Sequence, residues 1–218
     1  MIRVKGTIKS RSNKKHKRII CIGAHPDDLE IGMGGTIARY VHEKNEVLMV
    51  VSMVPYAKNQ RVDEVKKAAH ILGAKTTVLD LNLDHKILTR EIIGIFDEIL
   101  NKFKPDEIYT HWNHDSHQDH RIVSEAVISS ARSNQCNLFL FEQILPGGIV
   151  PYTFRAQKII DVSPYINLKT AALKAHKSQY KKNRYNWVAG VKGRANQWGY
   201  MIGVRYAEAF EVVKIIEK

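Results

Sequence analysis

The stretch from Arg18 to Asp28, RIICIGAHPDD, decides the fold. Arg18 to Ala24 is a short run dominated by β-branched and other apolar residues, the composition of a strand buried on both faces of a parallel sheet. His25, Pro26, Asp27 and Asp28 follow at once. From about Leu29 to Lys44, Ile31, Ile37 and Val41 then return with helical spacing among small glycines, so the four residues HPDD are expected on a strand-to-helix turn.

The alternation repeats outward from that turn. Val47 to Met53 reads as a strand, Asn59 to Leu72 as a helix ended by Gly73, and Thr76 to Leu79 as a strand. Thr89 to Phe103 is a helical pattern stopped before Pro105, Glu107 to Thr110 a short strand, and Asp119 to Arg132 a helix. Asn137 to Phe141 and Gln157 to Ile160 read as later strands, Pro164 to Tyr180 as a helix, and Ala209 to Ile216 as a closing strand. Strands alternating with helices imply right-handed crossovers, which predicts an α/β, Rossmann-like three-layer sandwich: a mostly parallel sheet with helices on both faces. Ligands of such sheets collect at the carboxyl ends of the strands.

A chain of 218 residues usually makes one domain, and 44% apolar with 26% charged residues is ordinary globular usage. The expected division is a basic N-terminal arm, residues 1–17, and a single catalytic domain, residues 18–218. No window approaches the roughly 18 apolar residues of a membrane span, and the N-terminus lacks an apolar signal core. A cytoplasmic location is the expectation. Cys21 and Cys136 are too few for a disulfide framework and lack metal-pair spacing, so both are expected as free thiols. The formal charge of +12 gathers between Lys9 and Arg18 (KSRSNKKHKR) and between Lys174 and Arg184. Such runs are usually solvated tails and helix faces, so nucleic acid is not the expected partner despite the basic balance.

A catalytic zinc usually takes three protein ligands from His and Asp or Glu and keeps a further position for water. The chain offers that set in two pieces. His25 and Asp28 flank the first turn, and His111 to His120 (HWNHDSHQDH) places four histidines and two aspartates at the next suitable strand end. Either piece alone reads as turn capping or a solvated loop. Two pieces meeting at one sheet edge point to a metal. Gly32, Gly34 and Gly35 lack the G-x-G-x-x-G spacing of a phosphate loop, and close packing beneath the turn is their expected role.

At these residues a family resemblance emerges. AHPDD-x-E-x-G-x-GG (Ala24 to Gly35) followed by H-x-DH (His117 to His120) resembles the PIG-L/LmbE family of zinc de-N-acetylases. Arg61 and Glu64 ahead of Ala68, Ala69, Leu72 and Gly73 look like its R-x-x-E helix, while His176, Ser178 and Gln179 look like its H-x-SQ segment and Ala207 to Phe210 like its AEAF segment. The resemblance spans nearly the whole chain from Arg18. It implies metal ligands His25, Asp28 and His120, a general base Asp27, His117 supporting the oxyanion and Asp119 orienting it, with zinc as cofactor and other divalent ions acceptable to such a site. Zinc lowers the pKa of bound water to about 7, so a carboxylate that does not ligate it can take the proton, which fits Asp27.

Arg61 is expected to contact substrate hydroxyls or an anionic group. Tyr152, Trp187 and Trp198 could wall a sugar ring, although aromatics in this number are usually core. The implied reaction is hydrolysis of an N-acetyl group on an amino sugar or glycoconjugate such as an N-acetylglucosamine derivative. The readings that compete with it are another metal-dependent C–N hydrolase or tailoring deacylase of secondary metabolism, and a non-catalytic metal- or nucleic-acid-binding module. Homo-oligomerisation is left open.

Overall fold

The computed structural model describes residues 16–81, 87–143, 151–183 and 186–217. Residues 1–15 of the basic arm, and Arg184 at the end of the second basic run, lie outside them. Among the described residues, seven strands form one sheet in the order β3-β2-β1-β4-β5-β7-β6. β1 (Arg18–Gly23), β2 (Glu46–Val51), β3 (Lys75–Val78), β4 (Glu107–His111) and β5 (Asn137–Phe141) are parallel, whereas β7 (Ala207–Lys214) runs antiparallel to β5 and to β6 (Lys158–Asp161).

Alternation along β1 shows why its apolar run is continuous. Ile19 and Cys21 enter one core layer, with α1 (Asp28–His42), α2 (Lys58–Leu72) and α5 (Ile166–Ala175). Ile20 and Ile22 enter the other, with α3 (Arg90–Phe103) and α4 (Gln118–Ala131). A strand covered on both faces needs apolar residues at every position. Cys21 and Cys136 fall in opposite layers, and both are free thiols. Lys17, assigned to the arm by the sequence, already takes part in the fold: its carbonyl accepts from Glu46 N at 2.9 Å and its ammonium pairs with buried Glu107. Among the described residues, no helix is long and apolar enough to cross a membrane.

Three local features differ from the sequence reading, each for a tertiary reason. The expected helix from Pro164 to Tyr180 is α5, then α6 (Lys177–Asn183). The break falls at His176 (φ −76°, ψ 66°), and Ser178 N and Oγ donate to Glu64 of α2 at 2.9 and 2.6 Å. α7 (Asn186–Ile202) was not anticipated, because its glycines mask the helical pattern. Gly199 is needed there: a Cβ would lie 2.7 Å from the Val204 carbonyl oxygen. Within α1, Met33 departs from helical geometry (φ −148°, ψ 23°). Backbone groups on both sides of this kink find partners in a buried ion pair. Gly35 N and Thr36 N donate to the Glu208 carboxylate at 3.0 and 2.7 Å, and Lys169 Nζ donates to Ile31 O at 2.8 Å while pairing with Glu208. The G-x-GG and AEAF segments therefore meet at one kink, and β7 begins two residues earlier than its apolar pattern suggests because Glu208 sits at its start.

Candidate metal centre and active site

Strand order reverses direction between β1 and β4, and both polar clusters leave the sheet there, β1 into the HPDD turn and β4 into the HWNHD loop. Such a switch point opens a crevice at the carboxyl ends of the two strands. Asp28 is at its centre. Its Oδ2 accepts from His25 N at 2.7 Å and lies 3.5 Å from His25 Nδ1, 3.4 Å from His120 Nε2 and 3.2 Å from His111 Nε2. The donor atoms of His25, Asp28 and His120 all fall within 4.8 Å of one another.

Two imidazoles and one carboxylate gathered this closely form the donor set that a catalytic zinc or a similar divalent ion uses. The surroundings fit the same role. A ligating imidazole usually has a carboxylate behind its other nitrogen, which fixes the ring and raises its basicity. Asp115 Oδ1 lies 3.2 Å from His120 Nδ1, and Asp119 Oδ2 lies 3.0 Å from His25 Nε2.

Electrostatics follow from this crowding. Burial alone would lower the pKa of His25, but the Asp119 and Asp28 carboxylates raise it to about 9. For His120, burial is likewise outweighed, by Asp28 and Asp115, and its pKa rises to about 10. Burial would raise the Asp28 carboxyl, yet the charged His120 ring beside it holds it well below the usual range. His111 goes the other way, to about 4, through burial and the charge on His120. Its Nε2 accepts from Ala24 N at 2.8 Å, so the ring is neutral and its proton is on Nδ1.

Asp27 occupies a strained position. With φ 96° it is in the left-handed region, which for a residue other than glycine costs of order 1–3 kcal/mol and persists only where neighbours impose it. Those neighbours are visible. Arg61, itself buried, donates from Nη2 to Pro26 O at 2.9 Å and lies 3.9 Å from Asp27 Oδ1, with its guanidinium over the Tyr56 ring at 4.6 Å. Asp28 Oδ2 lies among the imidazoles while Asp27 Oδ1 lies toward Arg61, so the two adjacent carboxylates have different neighbours. Burial, then the charge on Asp28, pushes the Asp27 carboxyl up to about 7.

His117 and Asp119 adopt a different mutual arrangement from the one expected. His117 is the N-cap of α4, its Nδ1 accepting from Asp119 N at 3.2 Å. The Asp119 carboxylate lies 4.0 Å from that nitrogen but 3.0 Å from His25 Nε2, so its shorter contact is with His25. Burial and the charges of His120 and His25 hold His117 below the usual histidine range, which leaves a neutral ring with its N–H on Nε2.

The sequence reading assigned no role to three residues that shape this site. His111 stacks on His120 with centroids 4.0 Å apart, Asp115 backs His120, and Gln143 Nε2 donates to Asp28 O at 3.0 Å. His111 and Asp115 stood in the quoted loop, but only their burial distinguishes them from its solvated members. Gln143 carries no sequence signal. Of the aromatics considered, Trp187 is core, Trp198 is half-buried and Tyr152 is exposed.

Known proteins resemble this chain along most of its length. The model of the PIG-L family, described as GlcNAc-PI de-N-acetylase, matches residues 20–131. Diacetylchitobiose deacetylase of Thermococcus kodakarensis is 28% identical over 223 residues, spanning 90% of this chain and 83% of that protein. The uncharacterized deacetylase YaiS of Escherichia coli is 32% identical over 179 residues, spanning 77% and 94%. The structure of N,N'-diacetylchitobiose deacetylase from Pyrococcus horikoshii in complex with an inhibitor superposes with a TM-score of 0.76 at 25% identity, covering 92% of this chain and 85% of that one. The chain belongs to the PIG-L family of de-N-acetylases.

Proposed function

We propose that this protein hydrolyses the N-acetyl amide of an amino sugar or glycoconjugate at a zinc centre held by His25, Asp28 and His120. The observation that carries the reading is the pair of adjacent carboxylates at the β1 switch point, with Asp28 drawn among three imidazoles and Asp27, on a left-handed backbone, lying toward Arg61. A purely structural metal site has no use for the second, strained carboxylate. When bound, zinc supplies Lewis acidity that polarises the amide carbonyl and lowers the pKa of water.

The chain's own residues do the rest. Asp27, with a carboxyl raised into the neutral range, takes a proton from the attacking water, as a general base tuned near working pH does best. The carbonyl oxygen gains negative charge as the tetrahedral intermediate forms, and His117 Nε2–H donates to it. The C–N bond then breaks, and the amine leaves with the proton that Asp27 took from the water. Arg61 locks the turn that carries Asp27, and its substrate contact is assigned to the guanidinium 3.9 Å from that carboxylate. Diacetylchitobiose deacetylases among the relatives support an N-acetylated sugar as substrate.

The test is acetate release from a panel of N-acetylated amino sugars by zinc-loaded protein, alongside Asp27→Asn. The variant is expected to keep its metal and lose most turnover, because an amide of nearly the same shape cannot accept the proton. Equal turnover by variant and wild type would remove Asp27 as the base.

A further inference from the structure

An aromatic chain runs from the rim of the site into the core. Tyr152 is 58% exposed, yet one face of its ring is stacked on His114, with centroids 4.2 Å apart and planes 27° from parallel. His114 in turn meets Trp112 edge-on at 5.5 Å, and Trp112 meets Phe154 edge-on at 5.9 Å. Trp112 is 5% exposed and anchors the stack. An exposed tyrosine held in this way presents its second face to solvent as a flat, ordered surface. Ordering it on binding costs little, because the stack has already restricted its rotamers.

The shelf adjoins the metal centre. His114 directly precedes Asp115, whose carboxylate is 3.2 Å from His120 Nδ1. A hollow of about 40 Å³ continues from Tyr152 and Phe154 to Asp115 and to Gln143, the residue that donates to Asp28 O. A ligand lying on Tyr152 thus borders the same hollow as Asp115 and Gln143, the residues that touch His120 and Asp28. The flat apolar faces of pyranose rings, edged by hydroxyl groups, pack well on aromatic surfaces of this kind.

We infer that the Tyr152–His114 shelf is a subsite for the sugar ring next to the one that loses its acetyl group, making the enzyme selective for a disaccharide or longer glycoconjugate over a monosaccharide. The inference rests on the deacetylase reading above. Its experiment separates the two.

Acetate release is measured with N-acetylglucosamine and with its β-1,4-linked N-acetylated disaccharide, for wild type, Tyr152→Ala, Tyr152→Phe and His114→Ala. Tyr152→Ala is expected to lower kcat/KM about tenfold for the disaccharide, mainly through KM, and to leave the monosaccharide unchanged, while Tyr152→Phe keeps the stack and stays near wild type. Equal losses on both substrates, or no loss on the disaccharide, would overturn the subsite. Calorimetric binding of the deacetylated disaccharide to wild type and Tyr152→Ala tests it without turnover. Weaker binding to the variant supports the shelf even if no acetate is released, an outcome that would sink only the catalytic reading. Unchanged binding overturns the shelf whatever the acetate assay gives.

Discussion

Gly32→Ala tests how α1 is seated against the sheet, and through it how Asp28 is placed. A Cβ at position 32 would stand 2.4 Å from Phe141 Cδ2 and 2.9 Å from Cγ, inside any separation real side chains show. Phe141 is wholly buried, and its ring also packs on His111 at 4.7 Å, so it has no solvent to retreat into. Overpacking of this kind costs about 1–3 kcal/mol. A contact of 2.4 Å against a ring with no room to move belongs at the upper end of that range; helix propensity returns up to about 1 kcal/mol on replacing glycine by alanine, and the net expectation is a loss of about 2 kcal/mol. For a domain of this size that lowers Tm by roughly 4–8 °C. Gly94→Ala in α3 is the control. Nothing lies within 4 Å of its Cβ, so only the propensity gain applies and Tm should rise by roughly 2 °C. Differential scanning calorimetry of the zinc-free proteins gives both values. A Gly32→Ala protein that melts at or above wild type would refute the close seating of α1 on Phe141. If the seating holds, displaced Phe141 should also press on His111, and zinc affinity should fall with stability.

Asp115→Asn should weaken zinc binding about 10- to 100-fold in competition with a chromophoric chelator, since the carboxylate behind a ligating imidazole sets its orientation and basicity; unchanged affinity would detach Asp115 from the metal centre. Glu107→Gln addresses the opposite end of the sheet. Burial would raise that carboxyl, but Lys158, Lys17 and Tyr109 outweigh it and hold it below the usual glutamate range. A carboxyl depressed by folding contributes stability above its unfolded pKa, ~4.3, and the contribution disappears as pH falls through the folded value. The variant should therefore have a lower urea midpoint than wild type at pH 7, and the gap should close on acidification below pH ~4. A gap that stays the same at pH 3 would show that Glu107 acts through packing alone.

Much of this protein is determined locally and can be read from its sequence. The parallel strands announce themselves because burial on two faces demands unbroken apolar runs, as in Ile19 to Ile22 and Leu138 to Phe141. The HPDD turn is legible because a strand ends and a helix begins around it, and the signatures resembling the PIG-L family concentrate at that turn and at the start of α4, His117–His120. What depends on pairing between distant segments is not legible. Nothing near His176 states that a helix must stop there; Glu64, more than a hundred positions away, draws off the amide of Ser178. Nothing in AEAF states that Glu208 receives the N–H groups beyond a kink in α1. Asp119 looks like the partner of His117 because they are two residues apart, yet its carboxylate reaches His25 across the β1–β4 crevice. Sequence periodicity reports which face of an element is apolar, whereas a buried polar group is satisfied by whichever partner the folded chain brings within hydrogen-bond reach, and only the tertiary structure makes that choice.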